Sequence, residues 1–443
     1  MPSIRLTIMP GSMGLSKRSH PDQRIQWVGF FAALLAFMMV LTKSWGFHQN
    51  ALYLVLKPTS DGWGYYHYLP ALLGTHEWAH LPWTHQLENL NGLSMFTYGV
   101  ALLELPWFLV GHGMAWATGM STDGYSAPYA TSNLFGMAVY AGAAVNLLFH
   151  ALRRRFPITI ALATPLLLLV GTNLYFYSTK EPVMSHAYIY FLFAALHYLV
   201  VRNVEEPKAL RTLGIIVICS VTLLIRQLHV VAVLFPAFYL TTNWNDVRER
   251  LRWFGQNRLI TLLAVVLAFL VWVPQMSYWK LITGKYFIFP YGYKDEHFIY
   301  ALDPHLADVL VGVVNGWWVY TPLMALACGA LVWMVIRRVS GAVPILLMVI
   351  LVWYAYSAWW CWWLGGAFGH RGFVEYYAFL SVPLAWLLER LSRTAWPWRL
   401  SSAILIALLI YVNLSLTEIT SWDWNKPEWT WSRLGEVYIR IFS

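Results

Sequence analysis

Long apolar runs alternate with short polar segments along the whole 443-residue chain. Runs of this length predict helices that cross a bilayer. We expect spans at about 25–45, 129–150, 158–177, 183–201, 259–276, 318–336, 342–358, 372–390 and 399–417, and a pair of short helices within 213–240 that turn near residues 226–229. The pattern therefore predicts an all-α polytopic membrane protein of about eleven spans, folded as one domain over residues 1–443.

The basic clusters between the apolar runs orient these spans, because cytoplasmic loops carry an excess of lysine and arginine. Placing every cluster inside gives a cytoplasmic N-terminus, an external C-terminal tail at about 417–443, and external loops at about 46–126 and 277–315. Within the first loop, the segment Phe96–Trp116 is apolar but contains Glu104 and Pro106. If this segment crossed, Arg153 and its two arginine neighbours would lie outside, so we predict an interfacial or re-entrant helix here.

Composition agrees with this class. The chain is 59% hydrophobic with only 12% charged residues and a mean hydropathy of +0.52, which excludes a soluble globule. A net charge of +9 is compatible with nucleic-acid binding in principle. Here, however, the basic residues fall in short clusters between apolar runs, as they do where they orient spans, so we expect no nucleic-acid partner.

The first external loop contains the clearest candidate for chemistry, the segment 60–70, SDGWGYYHYLP. Gly62 and Gly64 permit a tight backbone path, and Tyr65 and Tyr66 supply flat faces and hydroxyls of the kind that hold sugars. Asp61 can then approach a bound substrate as a base. It is equally suited to capping a short interfacial helix, and the two roles are compatible.

A second candidate lies at the start of a predicted span, where Glu181 and His186 occur in the segment 179–188, TKEPVMSHAY. Both residues could contact substrate. Glu181 could instead favour the helix N-terminus, and His186 could be a hydrogen-bonded core residue.

Cationic residues supply candidate anion sites. Arg226 lies within an apolar run, where an unpaired guanidinium is costly, so it needs a polar cavity, a phosphate, or an acid such as Asp61 or Glu181. Lys285 lies in an aromatic part of the second loop that could hold an anionic head group or be simply solvated. His370 and Arg371 follow three glycines in the segment 359–371, WWCWWLGGAFGHR, and this pairing of close backbone approach with a guanidinium suggests a phosphate site.

Together these segments resemble the multispanning glycosyltransferases of the GT-C class, especially the bacterial branch similar to protein O-mannosyltransferases and lipid A aminoarabinose transferases. The resemblance covers nearly the whole chain and includes the segment Thr283–Tyr286, continuing to Asp303-Pro304-His305. It implies a helical bundle with interfacial helices in the first external loop, in a bacterial inner membrane.

The resemblance also implies transfer of a sugar from an isoprenoid-phosphate donor to a lipid, glycan or protein acceptor on the external face, with inversion. Asp61 falls at the position of the general base, and Arg371 would stabilise the departing phosphate with help from Arg226 or Lys285. The second acid of the usual Asp-x-Asp motif is absent, since Trp63 stands in its place. A bound divalent metal is therefore in doubt, and no other cofactor is indicated. A transporter or flippase of lipid-linked sugars and a non-catalytic membrane scaffold are the alternatives.

Overall fold

The computed structural model describes residues 23–56, 61–241, 243–426 and 428–443. Within them the chain is almost entirely helical, with one short antiparallel hairpin of β1 (His85–Gln86) and β2 (Gly92–Leu93). The α-helices, in chain order, are α1 Gln23–His48, α2 Tyr53–Leu56, α3 Asp61–Tyr66, α4 Tyr68–Leu72, α5 Gly99–Thr118, α6 Ala127–Leu152, α7 Ile158–Val170, α8 Leu174–Thr179, α9 Ser185–Glu205, α10 Ala209–Ile225, α11 Leu234–Phe238, α12 Trp244–Gln256, α13 Arg258–Thr283, α14 Leu306–Val311, α15 Trp317–Tyr320, α16 Pro322–Ile336, α17 Ala342–Ala358, α18 Tyr377–Ser392, α19 Trp396–Ile419 and α20 Trp431–Phe442.

Six described helices are long and apolar enough to cross a membrane, namely α1, α5, α6, α9, α13 and α19. Shorter apolar helices include α7, α10, α16 and α17, and α18 occupies most of the predicted span at 372–390. The protein is thus an all-α protein with helices suited to a bilayer. The count of eleven spans and the orientation of the termini stay predictions, and the basic segment 1–22 lies outside the described residues.

The centre of the bundle is packed around α6, α9 and α18. Both α6 and α9 are buried along most of their length, whereas α13 exposes most of its apolar side chains. In a bilayer such a face is solvated by lipid, so exposed leucines and valines on α13 carry no penalty. The polar ends of the central helices meet on one side, where the α8–α9 junction and the turn before α18 form the candidate site.

The run 213–240 breaks where the sequence predicts. α10 ends at Ile225, and a 3₁₀ helix occupies Gln227–Val233 before α11 begins. Arg226 has extended backbone between them. The break lets the guanidinium leave the apolar helix surface and reach polar groups, as the cost of an unpaired charge in an apolar environment requires.

Most of the segment Phe96–Trp116 lies in the continuous helix α5, which begins at Gly99 and has Pro106 inside it. α5 runs antiparallel to the first half of α6. Trp107 covers Gly136, where an added Cβ would lie 2.3 Å from the indole ring, and the Tyr140 hydroxyl donates to the Leu103 carbonyl at 2.6 Å. These contacts reach only the middle of α6. They are compatible with a re-entrant helix, and whether α5 crosses the bilayer stays a prediction.

We predict that Ser121 is external and Arg154 cytoplasmic, because α5 does not cross and the arginine cluster after α6 remains inside. The measurement is labelling by a membrane-impermeant thiol reagent of Ser121→Cys and Arg154→Cys. Both variants would be made after replacing the native Cys219, Cys328 and Cys361, which are free thiols. Labelling of Arg154→Cys from outside, with Ser121→Cys protected, would show instead that α5 crosses.

Candidate active site

A cavity of about 350 Å³ opens where α3, the α8–α9 junction, the glycine-rich turn before α18 and the segment after α19 come together. Charged, aromatic and small residues share its wall. The lining residues are Asp61, Trp83, Phe176, Tyr177, Lys180, Glu181, Met184, Gly365, Gly366, Ala367, Arg371, Thr420, Ser421 and Asn425.

Asp61 and Arg371 form an ion pair in this cavity, with 2.9 Å between Oδ2 and Nη2. Asp61 is the first residue of α3, and close packing fixes that helix: a Cβ on Gly64 would lie 2.2 Å from the Phe96 ring, so a larger residue is excluded. Arg371 begins a 3₁₀ helix directly after His370, and Gly369 has a φ of +63°, a conformation that favours glycine. The carboxylate and guanidinium are therefore held by rigid backbone on both sides.

Glu181 lies on the same cavity, in the turn between α8 and α9. Burial raises its pKa from the usual 4.5 to about 7, although the positive charges of Arg371 and Lys180 oppose this shift. Lys180 itself is tethered by hydrogen bonds from Nζ to the carbonyls of Thr417 and Glu418, each at 3.3 Å. The cavity thus carries one ion pair, a second cation, and an acid that titrates near neutral pH.

Behind this cavity lies a buried polar cluster of His186, Glu375 and Arg226. The His186 Nδ1 atom is 2.8 Å from Glu375 Oε1, and both side chains are fully buried. Arg226 Nη1 lies 4.0 Å from the same carboxylate oxygen. The acid nearest Arg226 is therefore Glu375, and not Asp61 or Glu181, the two acids considered from the sequence. His186 makes the buried hydrogen bond considered as one of its roles.

Hydrogen-bond donors without partners converge near the two arginines. The Tyr65 hydroxyl, Arg226 Nε and Arg371 Nε are buried and have no hydrogen-bond partner among the described residues. Tyr65 lies close enough to both guanidinium groups to affect their electrostatics. Buried donors in native proteins are nearly always satisfied, so such a group marks a place where a polar ligand can bind. Two guanidinium groups and a phenol suit an anion with several oxygen atoms.

Of the nine predicted site residues, only Asp61, Glu181 and Arg371 line this cavity, and six do not. Tyr65, His186 and Arg226 belong to the buried groups described above, and the other three are Tyr66, Lys285 and His370. The Tyr66 hydroxyl donates to the Gly124 carbonyl at 2.6 Å, and its ring packs on Phe108 and Tyr125. Lys285 follows the end of α13 on an exposed turn.

His370 also lies outside the cavity lining. It is buried with Nε2 2.9 Å from the Trp362 carbonyl, and burial lowers its pKa to about 4. This lowered pKa favours the neutral imidazole near pH 7, so the positive charge of this turn resides on Arg371.

The structure places further residues at or behind the cavity that the sequence did not single out, chiefly Glu375, Lys180, Tyr177 and Asn425. Lys180 is adjacent to Glu181, so its position beside a candidate acid was an available signal. Asn425 is brought in by the segment after α19, where its side chain accepts from Asn315 Nδ2 at 2.6 Å. No sequence motif marks that contact.

The side chains that line the cavity do not form a ligand set suited to a divalent cation. Its two acids, Asp61 and Glu181, share the wall with Lys180 and Arg371, and Arg371 already pairs with Asp61. Across the described residues no three His, Cys, Asp or Glu side chains are grouped to hold a metal ion. A metal ion placed here would have to compete with two fixed positive charges.

Comparison of the chain with models of known protein families, with curated proteins and with solved structures finds no match.

We predict that Glu181 makes the folded protein less stable as pH rises toward neutrality. Below pH 4.5 the folded and unfolded chains both hold its proton, and between 4.5 and about 7 only the folded chain retains it. Stability therefore falls through this window and levels off above it. Thermal unfolding measured from about pH 5 to about pH 8 should show a midpoint that falls a few degrees more in the parent than in Glu181→Gln.

The matched control is Glu436→Gln, since Glu436 is exposed on α20. This control should follow the parent at every pH. A Glu181→Gln curve parallel to that of the parent would show that Glu181 does not titrate in this range.

Proposed function

We propose that the protein is a membrane glycosyltransferase that moves a sugar from an isoprenoid-phosphate donor to an acceptor hydroxyl at this cavity. The observation that carries this proposal is the Asp61–Arg371 ion pair in the cavity, with Arg226 in the buried cluster behind it. Arg371 Nε, Arg226 Nε and the Tyr65 hydroxyl have no hydrogen-bond partner among the described residues. A carboxylate and a phosphate-binding pair are the two components that such a transfer needs.

The chemistry is a single displacement at the anomeric carbon. The acceptor oxygen forms a bond to this carbon while the bond to the donor phosphate oxygen breaks, and the electron pair leaves with the phosphate. Asp61 accepts the acceptor's proton, and Arg371 and Arg226 stabilise the negative charge that develops on the leaving group. Inversion of the anomeric centre is what one displacement implies.

The ion pair between Asp61 and Arg371 implies that the donor binds before Asp61 accepts the acceptor's proton. While Arg371 holds the Asp61 carboxylate at 2.9 Å, that oxygen is engaged and not available to an acceptor hydroxyl. A donor phosphate competes with Asp61 for the Arg371 fork, since phosphate accepts two parallel hydrogen bonds from it. Donor binding thus loosens the hold on Asp61 and leaves the carboxylate free to take the acceptor's proton.

The apolar chain of such a donor needs a path from the bilayer. Phe176 and Met184 line the cavity beside the charged residues. A site that joins apolar walls to cations suits a phosphate attached to an isoprenoid, which must keep its chain in lipid while its head group is bound. The external leaflet is the side we assign, following the predicted orientation.

We predict that Arg371→Ala weakens binding of a sugar-free polyprenyl phosphate by about 2 to 3 kcal/mol, the scale of a charge-assisted hydrogen bond at a desolvated site. Arg371→Lys should lose less, because it keeps the charge and gives up only the planar fork. Binding to purified protein in nanodiscs is the measurement, with Arg399→Ala as the control at an exposed arginine. Equal affinity of the parent and Arg371→Ala would move the phosphate role to Arg226.

We predict that Asp61→Asn loses turnover by roughly a hundredfold to ten-thousandfold, the usual contribution of a general base, while binding of the polyprenyl phosphate persists. The amide keeps the shape of the side chain but cannot take the acceptor's proton. A purely structural role at the start of α3 predicts a change of only a few tenths of a kcal/mol in stability with nearly normal turnover. Turnover, binding and thermal stability should be measured on one preparation.

If turnover of Asp61→Asn stays within about threefold of the parent, Asp61 is not the base. A transporter of lipid-linked sugars or a non-catalytic scaffold would then account better for the cavity.

A further inference from the structure

A second, more open cavity of about 560 Å³ lies on the loop side of the molecule. We call it the outer cleft. Its lining combines two aromatic side chains with acids, a lysine and a histidine. The residues are His85, Tyr293, Lys294, Asp295, Glu296, Ile299 and Trp360.

The outer cleft adjoins the candidate active site along two chain segments. Trp83 lines the active-site cavity and His85, two residues later, lines the outer cleft. In the same way, Trp360 lines the outer cleft and Gly365 the inner cavity. Residues of the two cavities also interact electrostatically. The pKa of Glu296 in the outer cleft is raised by burial and, to a smaller extent, by the charge of Asp61. The outer cleft therefore neighbours the cavity that holds the candidate base.

Backbone hydrogen bonds and a ring contact hold the base of the outer cleft in place. The Trp360 backbone N–H donates to the His297 carbonyl at 3.0 Å, and the Tyr300 N–H donates to the Ala358 carbonyl at 3.1 Å. Phe298 packs edge-to-face on Trp359, with ring centroids 4.9 Å apart. These contacts join the second external loop to the segment after α17, so the exposed rings above them are held in place before any ligand binds.

The exposed groups have the chemistry of a saccharide site. Trp360 and Tyr293 are each 36% exposed, so each offers a partly uncovered aromatic surface. Such faces stack on the apolar faces of sugar rings, and the Asp295 and Glu296 carboxylates can accept hydrogen bonds from sugar hydroxyls. The two acids outnumber Lys294, so the cleft disfavours anionic head groups and phosphorylated ligands.

We propose that the outer cleft is an acceptor subsite for a neutral saccharide, such as the terminal sugar of a glycan or glycolipid. Its assignment as an acceptor subsite rests on the proposed glycosyl transfer, whereas its binding of saccharide does not. An acceptor seated on Trp360 would direct one hydroxyl toward Asp61, while the donor phosphate occupies the inner cavity beside Arg371.

The test is saturation-transfer NMR on the full chain in nanodiscs, because glycoside detergents would compete for the site. The probes are maltotriose, cellotriose and chitotriose, with a heparin disaccharide as the anionic comparison. The proteins are the parent, Trp360→Ala, Trp360→Phe and the control Trp244→Ala, which removes a tryptophan that is 71% exposed outside the cleft.

We expect at least one neutral probe to bind and the anionic probe to bind more weakly or not at all. Trp360→Ala should weaken that binding by about tenfold, the size expected for one lost aromatic contact, whereas Trp360→Phe and Trp244→Ala should stay within about threefold of the parent. Trp360→Phe also reports on folding at this position, since it keeps an aromatic ring there.

Failure of every neutral probe to bind the parent, or binding that Trp360→Ala leaves unchanged, would overturn the saccharide site. The proposed function has a separate readout, the turnover of a polyprenyl-phosphate sugar. Transfer with an acceptor KM unaffected by Trp360→Ala would overturn the subsite and leave the transferase standing. Trp360-dependent saccharide binding without any transfer would overturn the transferase and the acceptor role together.

Discussion

Two guanidinium groups enclosed among apolar helices set the main constraint on this structure. Arg226 and Arg371 must each find negative charge, because an unpaired guanidinium in an apolar environment costs several kcal/mol. Arg371 meets this need with Asp61 at 2.9 Å, and Arg226 approaches Glu375 at 4.0 Å. The helix break after α10, the turn before α18 and the start of α3 all lie where these charges have to meet.

This constraint also explains why the site is closely packed and yet contains buried hydrogen-bond donors without protein partners. Glycine at 64 and 369 lets aromatic side chains and backbone approach closely, and this fixes the ion pair without a flexible loop. The same packing leaves the Arg226 and Arg371 Nε donors buried without protein partners. Buried charges that are only partly paired contribute little to stability. We therefore attribute the two partly paired arginines to the binding of an anion. In the proposed function, a phosphate on an isoprenoid chain would supply both the charge and the apolar part.

Sequence reasoning could predict what depends on local pattern, and it missed what depends on long-range packing. The helical class and the break at Arg226 follow from apolar run length and the cost of a buried charge. The Arg226–Glu375 pairing does not, because helix packing alone brings residues so far apart in sequence together. Tyr65 and Tyr66 look equivalent in sequence, yet neighbours on a helix point about 100° apart, so one faces the arginines and the other the core. Their two environments cannot be distinguished from sequence without knowing how the helix is rotated about its axis.

We propose above that the cavity transfers a sugar from an isoprenoid-phosphate donor. The most direct measurement is to incubate the purified protein in nanodiscs with a panel of polyprenyl-phosphate sugars and neutral saccharide acceptors, and to identify products by mass. We expect the parent, but not Asp61→Asn, to produce an acceptor heavier by one sugar residue and to release the sugar-free polyprenyl phosphate. If no donor in the panel is consumed by protein that still binds polyprenyl phosphate, the glycosyltransferase account is contradicted.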